Sequence, residues 1–395
     1  MINQLLHTPD GVRDLYGDEC ERKLLLEERI RHVFHTFGYQ DIETPSYEFF
    51  DIFNKERGSV QSRKMFKFFD RENNTMVLRP DFTPGIARCA AKYYSKEEAS
   101  VRLCYTGDTF INNSSYQGRL AEATQAGCEL IGNTSVEADA EMIALLIDSL
   151  LCTGLSEFQV ELGHVGFYEG LVKEAGLSAE AGSSLKTIIR NKNLFLIDDL
   201  LKENGVSDAM QKAFYELPQA FGGVEVLDKA ISLTSNTMAV ESIRHLQRVY
   251  ELLKAYGVEK YVSFDLGVMS ELNYYTGIIF RAYTFDVGEP IANGGRYDHL
   301  IAQFGSDKPS IGLGINVDLL AQALSRQQID LPLSSKGILV IYDKDPADAI
   351  AIAGFYRKAD VPAVIVSQNE AQALNQGQYE EVIIANRANR ERIGC

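Results

Sequence analysis

The sequence predicts an α+β protein, and three observations carry that prediction. Apolar residues recur at helical spacing over Leu24–Phe37 and Ala138–Leu151. Two pairs of strand-like segments are separated by turn chemistry: Met65–Asp70 with Thr75–Leu78 across Arg71–Asn74, and Val101–Tyr105 with Gln125–Ile131 across the polar loop Asn112–Gly118. Beyond a linker-like stretch, Leu331–Lys336, the order strand, helix, strand, strand announces a small α/β unit.

Taken in order, His7–Gly17 is turn chemistry, with Pro9-Asp10-Gly11 at its start. Asp18 suits the N-cap of the first helix, which Gly38 ends. Tyr39–Pro45 reads as a short strand. The hairpin that follows delivers Arg79-Pro80-Asp81-Phe82-Thr83-Pro84, and Gly85–Tyr94 is a helix. In the second strand of the central hairpin, alternation puts Gln125 and Glu129 on one face. If that face is buried, its polar groups need partners or a ligand; an ordinary hairpin with one wet face has the same pattern. Thr134–Leu151 is apolar nearly all round and is expected to be buried.

After a strand at Phe158–Gly163, residues 168–258 turn helical, charged and lightly apolar, with their clearest faces at Leu185–Ile189, Leu194–Leu201 and Ile243–Leu253. Strands at Tyr261–Leu266 and Gly277–Tyr283 flank the loop Gly267–Thr276. In Asn293–Asp298, adjacent glycines let a backbone approach a ligand closely, although a tight turn beside core tyrosines reads equally well. Val317–Leu324 is a closing apolar helix.

The 395 residues suffice for two or three domains, and 45% apolar with 24% charged residues is ordinary for a globular protein. No stretch approaches a membrane span, and the N-terminus lacks the basic flank and apolar run of a signal peptide, so the cytoplasm is the expected compartment. A net charge of −16 argues against a chain built to hold nucleic acid. Six cysteines without CxxC pairing suggest free, mostly buried thiols, and the histidines form no i, i+4 metal pair. No metal and no cofactor are expected.

Five ordered stretches carry a resemblance that begins at TPDGVRDLYGDE near the start: LRPDFTPGIARCAA (Leu78–Ala91), the central hairpin, SELNYYTGIIF (Ser270–Phe280), NGGRYDHLI (Asn293–Ile301) and SIGLGINVDLL (Ser310–Leu320). Together they resemble the catalytic core of histidyl-tRNA synthetases over about the first 325 residues. The resemblance implies a class II aminoacyl-tRNA synthetase-like antiparallel sheet with flanking helices. It implies a core over residues 1–325 carrying a helical insertion at about 168–258, a linker at 326–336, and a small α/β domain at 337–395. That last unit occupies the place of the anticodon-binding domain but is much shortened. The first helix, strand and Pro45 correspond to the synthetase dimer interface, which implies a dimer.

The departures from the synthetase pattern are equally informative. Ile111 stands where the family's hairpin arginine grips the α-phosphate of ATP, Ser270 where a histidyl-specific arginine opens its motif, and Leu319 where the last motif has its arginine. Asn316 replaces a glycine of that motif. Adenylation develops charge on phosphate oxygens, and loss of one such donor costs about a hundredfold in rate, so three losses leave no ATP-activating chemistry. The chain therefore most resembles the regulatory subunit of ATP phosphoribosyltransferase, the first enzyme of histidine biosynthesis. That subunit is non-catalytic, and the short-form catalytic subunit requires it for activity and for feedback control by histidine. The implied partners are that catalytic subunit, a second copy of the chain, and histidine, with no membrane and no nucleic acid. An active histidyl-tRNA synthetase, or a synthetase-like ligase with another acceptor, is the alternative. The resemblance assigns a histidine-like pocket to Asp81 and Thr83 for the ammonium group, Gln125 and Glu129 on the neighbouring strand, and Tyr274 and Tyr275 for the imidazole. It leaves the ligand's carboxylate without the arginine it would need.

Overall fold

The computed structural model describes residues 6–54, 60–113, 119–190, 194–267, 274–333 and 336–394. The first helix, α1 (Gly17–Thr36), starts one residue earlier than its sequence suggests. Asp18 does not cap it. Tyr16 holds the cap position, and Asp18 with Glu19 falls in the first turn, where acidic charge meets the unpaired amides of a helix start. Leu26, Ile30 and Phe34 form its fully buried stripe. Of the strand expected over Tyr39–Pro45, only β1 (Gln40–Asp41) joins a ladder. Pro45 has no amide hydrogen to extend it, and the Thr44 carbonyl is taken by Arg79 Nη1 at 2.8 Å.

β2 (Tyr47–Phe49), β3 (Lys67–Phe69) and β4 (Thr75–Leu78) make a small antiparallel sheet in the order β2-β4-β3. Asp70 Oδ1 closes the β3–β4 turn by accepting from the amides of Glu72 and Asn74. α2 (Thr83–Tyr93) begins two residues before the expected helix, because Pro84 sits in the first turn, where a missing N–H costs nothing. The central hairpin is longer than its apolar residues suggest. β5 (Val101–Phe110) and β6 (Glu122–Ile131) pair along their whole length, the backbone ladder continuing through polar positions such as Thr106 and Thr124.

α3 (Val136–Leu151) is capped by the Ser135 hydroxyl, which accepts from the Ala138 amide, and it is buried as expected. β7 (Phe158–His164) leads into a mostly helical stretch: α4 (Val165–Glu174), α5 (Ala179–Arg190), α6 (Leu194–Glu203), α7 (Asp208–Glu216), β8 (Phe221–Gly222), α8 (Glu225–Ile231) and α9 (Thr237–Tyr256). Its apolar faces are not lightly packed. Leu185, Ile189, Ile197, Leu201, Phe214 and Ile243 are buried in the same cluster as α3. Its cations face acids: Lys202 pairs with Asp198 at 2.5 Å, and half-buried Lys186 is countered by Glu169.

β9 (Val262–Asp265), β10 (Ile278–Thr284), β11 (Ala292–Arg296) and β12 (Ser310–Asn316) complete a nine-stranded sheet, followed by α10 (Val317–Arg326). The order is β1-β5-β6-β12-β11-β10-β7-β9-β8. Neighbours are antiparallel except β1 with β5 and β7 with β9. Alternation divides the central strands between two faces. Ala126, Cys128, Leu130, Leu313 and Ile315 point to the helical layer with α1, α3, α9 and α10. Leu103 and Tyr105 point the other way, to α2, Tyr297 and Leu300.

This part of the chain, Met1–Leu331, is one compact unit; Pro332–Cys395 is a second. In the second, β13 (Ile338–Tyr342), α11 (Ala347–Lys358), β14 (Ala363–Ser367), α12 (Gln368–Ala371), β15 (Glu381–Ile384) and α13 (Arg387–Ile393) build a parallel sheet in the order β14-β13-β15. Val340, Ile352, Ala353 and Ile383 are its core. Among the described residues no helix is long and apolar enough to cross a membrane.

Candidate functional site

The site is built on strands that lack side chains where others need room. Gly312 on β12 lies opposite Glu129 of β6, and Gly314 opposite Gly127. A Cβ on Gly312 would fall 1.6 Å from Glu129 Oε2, and one on Gly314 2.0 Å from Gln125 Nε2. On β11, a Cβ on Gly295 would fall 2.9 Å from the Tyr275 ring. These glycines let Glu129, Gln125 and Tyr275 lie across their neighbours instead of standing apart. Above this floor is a cavity of about 580 Å³, the size of a small-molecule site. Asp81, Thr83, Gln125, Glu129, Tyr274 and Tyr275, which come from well-separated stretches of chain, all line it.

Their polar atoms are joined to one another. Thr83 Oγ1 donates to Glu129 Oε1 at 2.8 Å, and the Tyr297 hydroxyl donates to Oε2 at 2.5 Å. The Tyr274 hydroxyl donates to Asp81 Oδ2 at 3.2 Å, while Asp81 Oδ1 accepts the Thr83 amide at 3.3 Å. Gln125 Nε2 donates to the Tyr105 hydroxyl at 3.2 Å. Tyr274 packs edge-on against both Tyr275 and Tyr297.

Burial governs the charge here. Glu129 is 1% exposed. Desolvation pushes its carboxyl up to about 8 against the opposing pull of the two hydroxyl donors, with the Asp81 charge adding to the rise. Burial likewise raises Tyr105, Tyr274, Tyr275 and Tyr297, which stay neutral phenols. A carboxyl poised between its two states, a second acid and a ring of hydroxyls suit a small ligand that brings N–H groups and positive charge.

Several lining residues escaped the sequence reading. Tyr105 faces the cavity because it pairs with Gly127, a register visible only once the hairpin closes. Tyr297 belongs to a motif recognised in the sequence, but its hydroxyl bond to Glu129 comes from a strand pairing across β12. Arg281 on β10 also lines the cavity, and its positive charge opposes the rise at Tyr275. The sequence reading named no cation in this pocket; the structure puts Arg281 in its lining.

A second, wider cavity of about 1910 Å³ adjoins the β5–β6 turn and the start of α10. Ile111 and Leu319, two of the three positions where the resemblance called for arginine, line it with apolar side chains. Ser270 lies outside the described residues. Asn316 serves the helix that follows it, its Oδ1 capping α10 by accepting the Leu319 amide at 2.9 Å. Elsewhere His35, Asp41 and Cys104 converge closely enough to suggest a metal site. Both Asp41 oxygens are already engaged by Arg31, at 2.8 and 2.7 Å, and burial pushes the Cys104 thiol up to about 12. That arrangement is an ion-pair network.

Comparison with known proteins agrees with this architecture. The sequence model of the family described as Histidyl-tRNA synthetase matches residues 11–320. An ATP phosphoribosyltransferase regulatory subunit of Acetivibrio thermocellus is 39% identical over 87% of this chain and 82% of its own length. Its namesake in Thermoanaerobacter pseudethanolicus is 36% identical over 96% of this chain and 99% of its own. Among solved structures, an ATP phosphoribosyltransferase regulatory subunit/histidyl-tRNA synthetase from Bacillus halodurans superposes with a TM-score of 0.86 at 28% identity, covering 96% of this chain and 98% of the other. A histidyl-tRNA synthetase from a Nostoc species shares the fold, with a TM-score of 0.78 at 20% identity over 93% of this chain and 88% of the other.

Proposed function

Because this chain belongs to the ATP phosphoribosyltransferase regulatory subunits, within the histidyl-tRNA synthetase family, we propose that it binds the short catalytic subunit and carries the histidine signal to it. It is a regulatory chain, and the transferase reaction belongs to the partner. It self-associates as a dimer, and histidine occupies the cavity between Asp81, Glu129 and Tyr275.

One contrast supports this reading above all others. The polar cavity is furnished for a cationic amino acid, with Glu129 held by Thr83 and Tyr297 and with Asp81 beside Tyr274. In the adjoining cavity Ile111 and Leu319 stand at the two positions where the family's phosphate chemistry uses arginine, although arginines from other positions, such as Arg63 and Arg119, line it as well. Ligand recognition has been kept and the means of activating ATP has not. In this reading the ammonium meets Asp81 and Thr83, the imidazole meets Glu129, and Arg281 serves the carboxylate.

Calorimetry on the complex of the two subunits tests the assignment. Histidine should bind, and Glu129→Gln and Asp81→Asn should each weaken it by about 30-fold or more, since Asp81→Asn removes one partner of a buried charged contact and Glu129→Gln removes the carboxyl that gives its proton to the imidazole and pairs with the resulting cation. Histamine, which lacks the carboxylate, should bind more weakly than histidine in the wild type and no more weakly in Arg281→Gln. Full histidine feedback in both acid variants would put the effector elsewhere. Histidine-dependent pyrophosphate exchange by the purified chain would favour the ligase reading instead.

A further inference from the structure

The strongest polar cluster outside the cavity is buried directly behind it. Asp139, in the first turn of α3, has no exposed surface. Its Oδ1 accepts from Arg296 Nε at 2.9 Å and Nη2 at 2.5 Å, and its Oδ2 is 2.7 Å from His245 Nε2 on α9. The Arg296 Nη1 donates to the Asn133 carbonyl at 2.8 Å and to Asp298 Oδ1 at 3.2 Å. Asp298 Oδ2 in turn accepts the Thr276 hydroxyl at 3.1 Å. Thr276 follows Tyr275 directly, and its amide donates to the Arg296 carbonyl at 2.8 Å.

Successive residues of an extended chain point to opposite faces, and 295–298 exploit this. Gly295 lies against the Tyr275 ring and Tyr297 reaches Glu129, both on the cavity side. Arg296 passes to the helical side and meets Asp139. A second strap runs parallel: the Val165 amide at the start of α4 donates to the Gly277 carbonyl at 2.9 Å. Beside it, half-buried His164 packs edge-on against His245, its ring held neutral because desolvation and the neighbouring imidazole drive it down to about 3. The segment that follows Tyr274 and Tyr275 is thus tied to the helical stretch at two points.

We infer that Asp139 is the anchor through which occupancy of the cavity is coupled to helix α9, α4 being tied separately through the bond from the Val165 amide to the Gly277 carbonyl. The inference rests on the ligand reading above for what fills the cavity, but the linkage itself belongs to the protein alone. A buried carboxylate between two cations or donors cannot lose either without a large penalty, so displacement of one partner is passed to the other. A ligand that fixes Tyr275 fixes Thr276, Asp298 and Arg296, and through Asp139 it fixes His245. Arg296, Asp139 and His245 act here as positioning residues.

Amide hydrogen exchange on the complex, with and without saturating L-histidine, reads this directly. Exchange over 237–256 should slow by about fivefold or more on binding, the low end of ordinary coupling between sites. His245→Phe, which keeps a ring but no bond to Asp139, should bind histidine and lose that protection; His245→Gln, whose amide can still donate, should restore it. Protection that survives in the Phe variant, or that is absent in the wild type while calorimetry shows binding, overturns the inference and leaves the ligand reading intact. If histidine does not bind at all, the ligand reading fails and a ligand-free cycle decides. Asp298→Asn and His245→Phe touch different partners, yet their combined shift in urea midpoint should differ from the sum of the single shifts. Simple additivity would overturn the coupling.

Discussion

Tyr297 donates its hydroxyl to Oε2 of Glu129 at 2.5 Å, and neither side chain has meaningful contact with solvent. The two are 168 residues apart in sequence, and Glu129 lies on β6 while Tyr297 directly follows β11, strands that do not pair with each other. They meet because β12 lies between those strands and carries glycine at the crossing point. Much of the protein's behaviour at this site should follow from that bond.

The first consequence is a dependence on pH. Burial raises Glu129 from its ordinary 4.5 to about 8, so the folded protein keeps a proton that the unfolded chain has released. Stability from this group is therefore full below about pH 4.5 and is lost as pH rises through about 8, at up to ~1.4 kcal/mol per unit. Glu129→Gln keeps the shape without the titration. Between pH 5.5 and 8 its unfolding free energy, measured in urea, should fall by ~1–3 kcal/mol less than that of the wild type. Parallel curves would show that the carboxyl carries no such proton.

The floor of the cavity gives a second prediction. Gly312→Ala puts a methyl 1.6 Å from Glu129 Oε2, a contact no rotation of the methyl relieves. The carboxyl must leave Tyr297 and Thr83, and we expect a loss of ~2 kcal/mol or more in stability together with weakened histidine binding. Gly288→Ala meets open space and should change stability by less than about 0.5 kcal/mol. Equal effects from the two substitutions would contradict the role given to Gly312.

A third prediction concerns the C-terminal unit. Gly354 lies inside α11, and a Cβ there meets nothing within 4 Å. Alanine removes backbone freedom from the unfolded chain without a clash. Gly354→Ala should therefore stabilise that unit by about 0.5–1 kcal/mol. Thermal unfolding of the full chain, followed by hydrogen exchange over β13 and β14, would register the gain; a loss would mean that the helix packs against something at that position.

What the sequence by itself determined is most of the helices, two hairpins and the family, while β11 and β12 at the heart of the sheet were not read as strands. Periodicity located α1 and α3, because burial of one face imposes spacing that survives in a linear string, and turn chemistry between strand-like runs located both hairpins. Five ordered motifs fixed the kinship, and three substituted positions separated this chain from ligases. Asp81, Thr83, Tyr274 and Tyr275 were singled out as positions in motifs and Gln125 and Glu129 by strand alternation; that all six line one cavity is visible only in the structure. Tertiary structure alone decided how they meet. The strand ends misread at Tyr105 and Tyr39–Pro45, and the helix start misread at Asp18, were settled by backbone pairing and by which amides lacked partners, neither of which side-chain pattern encodes. The bond from Tyr297 to Glu129, the cation Arg281 and the anchor Asp139 depend on which strand lies beside which. Sheet order is set by the packing of the whole unit, and a contact across 157 residues, as between Arg296 and Asp139, has no local signature.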